Sequence, residues 1–190
     1  CDYYNQYMKD RKSVLKQSEF IESRQFKKRT LFILADGFRY EMAKELIQRF
    51  SGFDVEDINV IGELPSETEI GMNSYFIIDE KVELSEKNAF VLKRDGKIEF
   101  YICEWRRENL EKKLGWKVIT FDDFKRKKEY DESVIFFFDE ADINMHHYDS
   151  ASKMADAIDN LEKVIRYTLG REYDVVLLSD HGFVDIEKRL

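Results

Sequence analysis

The sequence has 190 residues, 43% of them hydrophobic, which suits one domain with a packed interior and excludes a disordered chain. Its 39 acidic and 31 basic residues give a formal net charge of −8, which excludes a basic whole-chain surface of the kind that grips nucleic acid by its phosphates. No apolar run approaches the roughly 18 residues that a membrane helix needs, so we expect no membrane partner.

The two cysteines indicate the redox compartment of the protein, and the two ends of the chain indicate a longer parent protein. Cys1 and Cys103 lack any paired spacing, which favours reduced thiols in a cytoplasmic protein. The chain begins with a cysteine instead of a methionine and stops soon after a strand-like segment, so we expect a longer parent protein whose other domains are partners of this one. Residues 1–28 are interpreted as a helical connector or the end of an upstream region. Residues 29–190 are interpreted as one domain, truncated at its C-terminus.

Apolar runs and helical stripes alternate along the rest of the chain. Residues 31–35 form a short apolar run, which is typical of a strand buried on both faces of a sheet. Residues 39–50 place their apolar side chains on one helical face. Residues 134–138 predict a second buried strand, residues 150–169 a second amphipathic helix, and residues 175–178 a third strand. The alternation predicts right-handed crossovers and a mainly parallel α/β sheet.

A segment before the second strand has a different pattern. Residues 90–92 and 98–102 are strand-like, and the polar stretch between them contains Asp95-Gly96, a dipeptide typical of hairpin turns. We interpret about residues 78–103 as a small β-hairpin insertion on the α/β core.

Each predicted strand runs into a carboxylate. Asp36 follows the first strand, Asp139 and then Asp142 follow the second, and Asp180 follows the third. Ligands bind beyond the carboxyl ends of the strands in an open parallel sheet. A lone aspartate there is usually only a helix cap, but several together repel each other unless a cation lies among them. The pattern therefore predicts a metal site at this edge of the sheet.

The histidines strengthen this prediction. Asp142 and His146 are four residues apart, so a helical turn would point both the same way. Asp180 and His181 offer a second oxygen and nitrogen pair. Mixed carboxylate and imidazole ligands suit zinc, with manganese as the alternative. His147 is interpreted as a solvent-exposed neighbour of His146.

A candidate nucleophile lies near the only proline of the chain, Pro65. Proline is typical of the first turn of a helix, and Ser66 with Glu69 fits a capping box. A hydroxyl near a helix N-terminus lies where backbone amides and the helix dipole favour a phosphate. We therefore interpret Thr68 as the candidate nucleophile and Ser66 as the candidate cap.

Together these motifs resemble those of a known family. They are residues 36–41 (DGFRYE), residues 65–68 (PSET) followed by Gly71-Met72, Asp142 with His146, and residues 179–183 (SDHGF). Their types and order resemble the PglZ domain, a branch of the alkaline phosphatase superfamily. The resemblance implies an alkaline-phosphatase-like three-layer sandwich around a mainly parallel sheet.

The resemblance also implies two divalent metal ions, usually Zn²⁺. It assigns one ion to Asp36, Thr68, Asp180 and His181, and the other to Asp142 and His146. In the family, the second ion takes a further histidine downstream of the DHG motif, and this chain contains no histidine there. We also expect Arg39 and Asn73 to bind substrate.

The implied reaction is phosphoester hydrolysis with a threonine nucleophile. Thr68 attacks phosphorus in line, a phosphothreonine forms, and water then releases phosphate. Residues 65–68 also resemble the nucleophile segment of nucleotide phosphodiesterases in this superfamily. We therefore expect a phosphodiester substrate of the nucleotide or nucleic-acid type, such as a nucleotide or an oligonucleotide.

Other functions remain open at this point. One is a phosphomonoesterase or a phosphoglycerate-mutase-like enzyme of the same superfamily. A second is a non-catalytic, metal-stabilised PglZ interaction module inside a larger phage-defence or signalling protein. A third is a phospho-accepting receiver-like domain, which the sequence disfavours because Asp36 is not one of a pair of acidic residues after the first strand.

Overall fold

The computed structural model describes residues 15–26, 29–58, 60–62, 68–76, 81–84, 90–94, 97–101, 110–112, 114–127, 130–145 and 150–180. The strands are β1 Leu15–Lys16, β2 Thr30–Ala35, β3 Val60–Ile61, β4 Lys81–Leu84, β5 Phe90–Arg94, β6 Lys97–Tyr101, β7 Lys117–Val118, β8 Val134–Phe138 and β9 Asp174–Ser179. The helices are α1 Gln17–Phe20, α2 Tyr40–Arg49, α3 Thr68–Ser74, α4 Phe121–Arg126, α5 Glu140–Met145 and α6 Ser150–Leu169. The helices in these ranges include none with the length and hydropathy of a membrane-spanning segment.

The central sheet has the strand order β7-β8-β2-β9, and all of its pairs are parallel. Leu31 of β2 pairs with Val134 of β8 on one side and with Val175 of β9 on the other. All six residues of β2 are buried, as expected for a central strand of a parallel sheet. The three predicted strands and their parallel pairing are confirmed. The edge strand β7 was not predicted.

Helices α2, α4 and α6 cover one face of this sheet. Met42, Phe124 and Leu161 come from these three helices and pack in one core with Ile33 and Phe136 of the sheet. Helices α2 and α6 match the predicted amphipathic segments, because their apolar stripes face this core.

The opposite face of the sheet has a second core. Phe32 and Leu34 of β2 pack there with Phe20 of α1 and Met72 of α3. The Phe32 ring also stacks on Trp116, with 3.9 Å between the ring centroids. Helical segments on both faces of a parallel sheet give the three-layer architecture that the resemblance implied.

A separate antiparallel sheet has the order β4-β5-β6. Arg94 of β5 pairs with Lys97 of β6, which confirms the predicted hairpin. The turn predicted at Asp95-Gly96 lies outside the described residues, and β4 was not predicted. The proposed limits of the insertion, at about residues 78–103, stay a prediction.

The segment before β2 lies against the central domain. Strand β1 pairs in parallel with β3, with Leu15 opposite Val60. Phe20 is 5% exposed and belongs to the second core. The division into a connector over residues 1–28 and a domain over residues 29–190 stays a prediction, and residues 1–14, 27 and 28 lie outside the described part of the chain.

Candidate functional site

The carboxyl ends of three parallel strands meet at one place. Ala35, the last residue of β2, pairs with Phe138 of β8 and with Ser179 of β9. The next backbone amide along β2, that of Asp36, donates to the carbonyl oxygen of Phe138 at 2.8 Å. Asp36 and Asp180 therefore follow neighbouring strands at the sheet edge where such folds bind ligands.

Thr68 lies against this edge. Its Oγ1 donates a hydrogen bond to Oδ1 of Asp36 at 3.2 Å, and both side chains are partly buried. The candidate nucleophile and the first predicted carboxylate are thus in direct contact, although they are remote in the sequence. The capping role predicted for Ser66 lies outside the described residues.

Asp180 is the most enclosed acidic side chain of the candidate site, with 1% of its surface exposed. Its Oδ1 accepts a hydrogen bond from the backbone N–H of Gly37 at 2.9 Å. Gly37 has a φ of 61°, a conformation that glycine adopts without strain. A buried carboxylate is stable only with hydrogen bonds or a cation, and the turn after β2 supplies one such hydrogen bond.

Helix α3 touches the end of β9 through backbone atoms. A Cβ atom added to Gly71 would lie 2.4 Å from the carbonyl oxygen of Asp180. Real Cβ atoms do not come this close, so only glycine allows the helix that carries Thr68 to pack there. Gly71 belongs to the motif that follows residues 65–68, but the sequence alone does not reveal this packing requirement.

Two polar residues that were not predicted, Gln17 and Tyr75, hold the same region. Gln17 is buried, and its Nε2 donates to the carbonyl oxygens of Gly71, Ser179 and Asp180. The Tyr75 hydroxyl donates to the Ser179 carbonyl oxygen at 2.7 Å. Burial raises the pKa of Tyr75, against the opposing effect of its hydrogen bond with Gln17, so the phenol stays protonated. An isolated Gln or Tyr in a polar segment carries no periodic signal that could have revealed this.

The other predicted site residues have different placements. Asp142 is partly buried in helix α5, which begins shortly after β8. Arg39 is partly exposed just before α2, and its Nε lies 3.5 Å from Oε2 of Glu41. Asn73 of α3 is fully buried.

His146, His147 and His181 lie outside the described residues, and the ligand and substrate-binding assignments stay predictions.

The side-chain oxygen atoms of the candidate site are of the kinds that bind divalent cations. Asp36, Thr68 and Asp180 present two carboxylates and a hydroxyl, which are hard oxygen ligands that Zn²⁺ and Mn²⁺ accept. Within the described ranges, no group of three or more His, Cys, Asp or Glu side chains could hold a metal ion. The histidine assigned to each predicted ion, His181 or His146, belongs to the undescribed residues.

A cavity of about 750 Å³ lies beside this edge, between helices α4 and α6 at the ends of β7 and β8. Phe121, Phe136, Asn160 and Lys163 contribute to its walls. Asp36, Thr68 and Asp180 do not line it. The candidate site is therefore defined by the hydrogen bonds around Thr68 and Asp180, and not by this cavity.

Comparison with known proteins agrees with the geometry. Residues 16–190 match the family model described as the BREX system PglZ alkaline phosphatase-like domain, and this range contains every predicted site residue. Members of the alkaline phosphatase-like superfamily commonly use divalent metals, and the BREX description corresponds to the phage-defence context that the resemblance implied. A search of curated proteins found no match. Because the family model covers most of the sequence, the chain belongs to the PglZ family of alkaline phosphatase-like domains.

Proposed function

We propose that this domain is a metal-dependent phosphoesterase that cleaves phosphodiesters with Thr68 as its nucleophile. The observation that carries the proposal is the hydrogen bond from Thr68 Oγ1 to Asp36 Oδ1 at the carboxyl ends of the parallel strands. Membership of an alkaline phosphatase-like family supports the reaction class.

The hydrogen bond orients the nucleophile. Because Thr68 Oγ1 donates to Asp36, the hydroxyl proton points toward a carboxylate that can accept it during attack on phosphorus. As the bond from the Thr68 oxygen to phosphorus forms, the hydroxyl proton passes to Asp36 and the bond to the leaving oxygen breaks. The leaving oxygen takes a proton from water, and the proton on Asp36 neutralises the hydroxide that remains. Hydrolysis of the phosphothreonine returns the hydroxyl and releases the phosphorylated product.

The metal sites in this proposal follow the assignments made from the sequence. Asp36, Thr68, Asp180 and His181 would hold one divalent ion, and Asp142 and His146 would take part in a second. Bound ions of this kind lower the pKa of a hydroxyl and stabilise the charge that develops on phosphoryl oxygens. We propose Zn²⁺, with Mn²⁺ as the alternative.

The proposed substrate is a nucleotide or a short oligonucleotide, in keeping with the resemblance of residues 65–68 to nucleotide phosphodiesterases. The net charge of −8 disfavours a long duplex held by this domain alone. We further propose a cytoplasmic protein in which this domain works beside others, in keeping with the BREX system named by the family description.

The test compares an aryl phosphodiester with the corresponding aryl phosphomonoester, using the full-length protein with added zinc or manganese. Thr68→Val keeps the shape of the side chain without its hydroxyl, and Thr68→Ser keeps the hydroxyl. We expect metal-dependent turnover that is faster on the diester, is lost in Thr68→Val and is retained in part by Thr68→Ser.

The other outcomes separate the alternatives. Faster turnover of the monoester would identify a phosphomonoesterase. Metal binding without turnover would identify a metal-stabilised interaction module, and full activity of Thr68→Val would show that Thr68 is not the nucleophile.

A further inference from the structure

The side chain of Gln17 joins two backbone segments of the candidate site. Its Nε2 donates to the carbonyl oxygens of Gly71 at 3.2 Å, Ser179 at 3.1 Å and Asp180 at 2.9 Å. Gln17 is 1% exposed, and its bonds to Gly71 and Asp180 are buried, where water does not compete for the carbonyl groups, while the bond to Ser179 is partly buried.

The two segments carry the groups that the proposed reaction needs. Gly71 lies one turn after Thr68 on helix α3, and Ser179 ends strand β9 directly before Asp180. A primary amide has two hydrogens, so these carbonyl groups share them. One side chain therefore ties the backbone behind the nucleophile to the backbone behind a predicted metal ligand.

Gln17 is itself held in place. Leu15 and Lys16, directly before it, pair with Val60 and Ile61 in β1 and β3. Phe20, one turn later, is buried in the second core. The amide is thus presented from a paired strand and a packed helix, which limits its movement relative to the sheet.

The packing around the amide leaves little tolerance for displacement. Gly71 already touches the Asp180 carbonyl so closely that a Cβ atom would not fit. The Tyr75 hydroxyl binds the Ser179 carbonyl as well. A shift of α3 away from β9 would break these contacts and move Thr68 relative to Asp180.

We propose that Gln17 is a positioning residue, which holds Thr68 and Asp180 in register through the carbonyl groups of Gly71, Ser179 and Asp180. The inference rests on the proposed phosphoesterase function. Gln17 acts through backbone atoms and does not touch the reacting groups. A displacement of about 1 Å in such a site can lower a rate by about 10²-fold.

The test uses Gln17→Met, which keeps the length of the side chain and removes its donors, in the full-length protein with added metal. Gln17→Asn, which keeps the amide on a shorter side chain, is the milder variant. The matched control is Gln48→Met, which makes the same change at an exposed position of α2. Each variant is assayed for kcat and KM on the aryl phosphodiester at a temperature where it is folded.

We expect kcat to fall by about 10- to 100-fold in Gln17→Met, with KM changed by less than about threefold, because positioning affects the transition state more than substrate binding. Gln17→Asn should lose less, and Gln48→Met should match the wild type. An unchanged kcat in folded Gln17→Met, or a loss no larger than its unfolded fraction, would overturn the proposal.

Amide hydrogen exchange gives a readout that does not depend on activity. Exchange in residues 68–76 and 174–180 should be faster in Gln17→Met than in the wild type, and unchanged in Gln48→Met. If the wild type hydrolyses neither ester, the proposed function fails, and exchange still decides the role of Gln17. Unchanged exchange in both segments would rule out that role.

Discussion

The hydroxyl of Thr68 donates a hydrogen bond to Oδ1 of Asp36 over 3.2 Å, and this bond joins helix α3 to the end of the central strand β2. It connects the predicted nucleophile to a predicted metal ligand through side chains that lie far apart in the sequence. The contact makes the role of Asp36 open to a direct test.

We expect Asp36→Asn to lower kcat by about 10²- to 10⁴-fold, the range for loss of a positioned proton acceptor. The amide accepts the Thr68 hydrogen bond more weakly than a carboxylate and offers no negative charge to a cation. Steady-state kinetics with added metal measures the effect. Asp131→Asn, at an exposed aspartate before β8, is the control and should retain activity. Full activity of Asp36→Asn would contradict the proposed site.

Gly71→Ala should destabilise the domain and impair the site together. The new methyl group would lie 2.4 Å from the Asp180 carbonyl oxygen, so α3 must move away from β9. We expect a loss of about 1–3 kcal/mol in the free energy of unfolding, measured by urea denaturation, and a lower kcat. Gly52→Ala, where no atom lies within 4 Å of the added methyl, should stay within about 0.5 kcal/mol of the wild type. Equal stability of the two variants would show that α3 and β9 are not in this close contact.

The stability lost in Tyr75→Phe should depend on pH, because the Tyr75 phenol is buried. At pH 7 the variant loses the hydrogen bond to the Ser179 carbonyl, which costs about 1 kcal/mol. Burial raises the pKa of Tyr75 in the folded protein, so its contribution is complete below about pH 10, the usual tyrosine pKa, and declines as the unfolded chain ionises above it.

The difference in unfolding free energy between wild type and Tyr75→Phe should therefore narrow above about pH 10. Urea denaturation at several pH values measures this difference. The contributions of the other tyrosines cancel, because both proteins contain them. A difference that stays constant or grows with pH would show that the Tyr75 phenol is not buried in this way.

Glu162 of helix α6 should stabilise the domain by an amount that depends on pH and on salt concentration. Hydrogen bonds from Arg166 and Arg49 lower its pKa and link α6 to α2. A lowered pKa means that the contribution is present above about pH 4.3, the usual glutamate pKa, and is lost as the pH falls through the folded-state value. Glu162→Gln should lower Tm at pH 7, and the difference from the wild type should disappear at low pH.

The same difference should shrink at about 1 M salt, because exposed ion pairs are screened. Glu22→Gln, the same change at an exposed position after α1, is the control and should leave Tm nearly unchanged. A Glu162→Gln difference that is constant from pH 7 to pH 3 would show that the carboxylate charge is not its cause.

The central sheet could be predicted because its strands are apolar on both faces and end in carboxylates. Residues 31–35, 134–138 and 175–178 are continuous apolar runs, as expected for strands between two helical layers. The strand β7 has only two residues, too few for a pattern, and it became visible only through its pairing with β8. Length thus decided which strands the sequence could reveal.

Only those residues of the candidate site that lie beside a strong local sequence signal could be predicted. Asp36, Thr68 and Asp180 stand beside strong signals, namely strand ends and the helix start after Pro65. Gln17 acts through backbone carbonyl groups of residues far along the chain, and no local pattern marks such a contact. Its role depends on tertiary packing and could be found only in the structure.

The pairing of β2 also has a consequence for how the protein is made. Its Leu31 pairs with residues about 100 and about 140 positions later, in β8 and β9. At about 5–20 residues per second, a ribosome completes β9 roughly 7–30 s after β2. Strand β8 is completed earlier, roughly 5–20 s after β2, and until then the apolar strand β2 has neither of its neighbours, which is the condition that favours aggregation and binding by chaperones. The first strand of the central sheet to be synthesised must therefore wait longest for its partners.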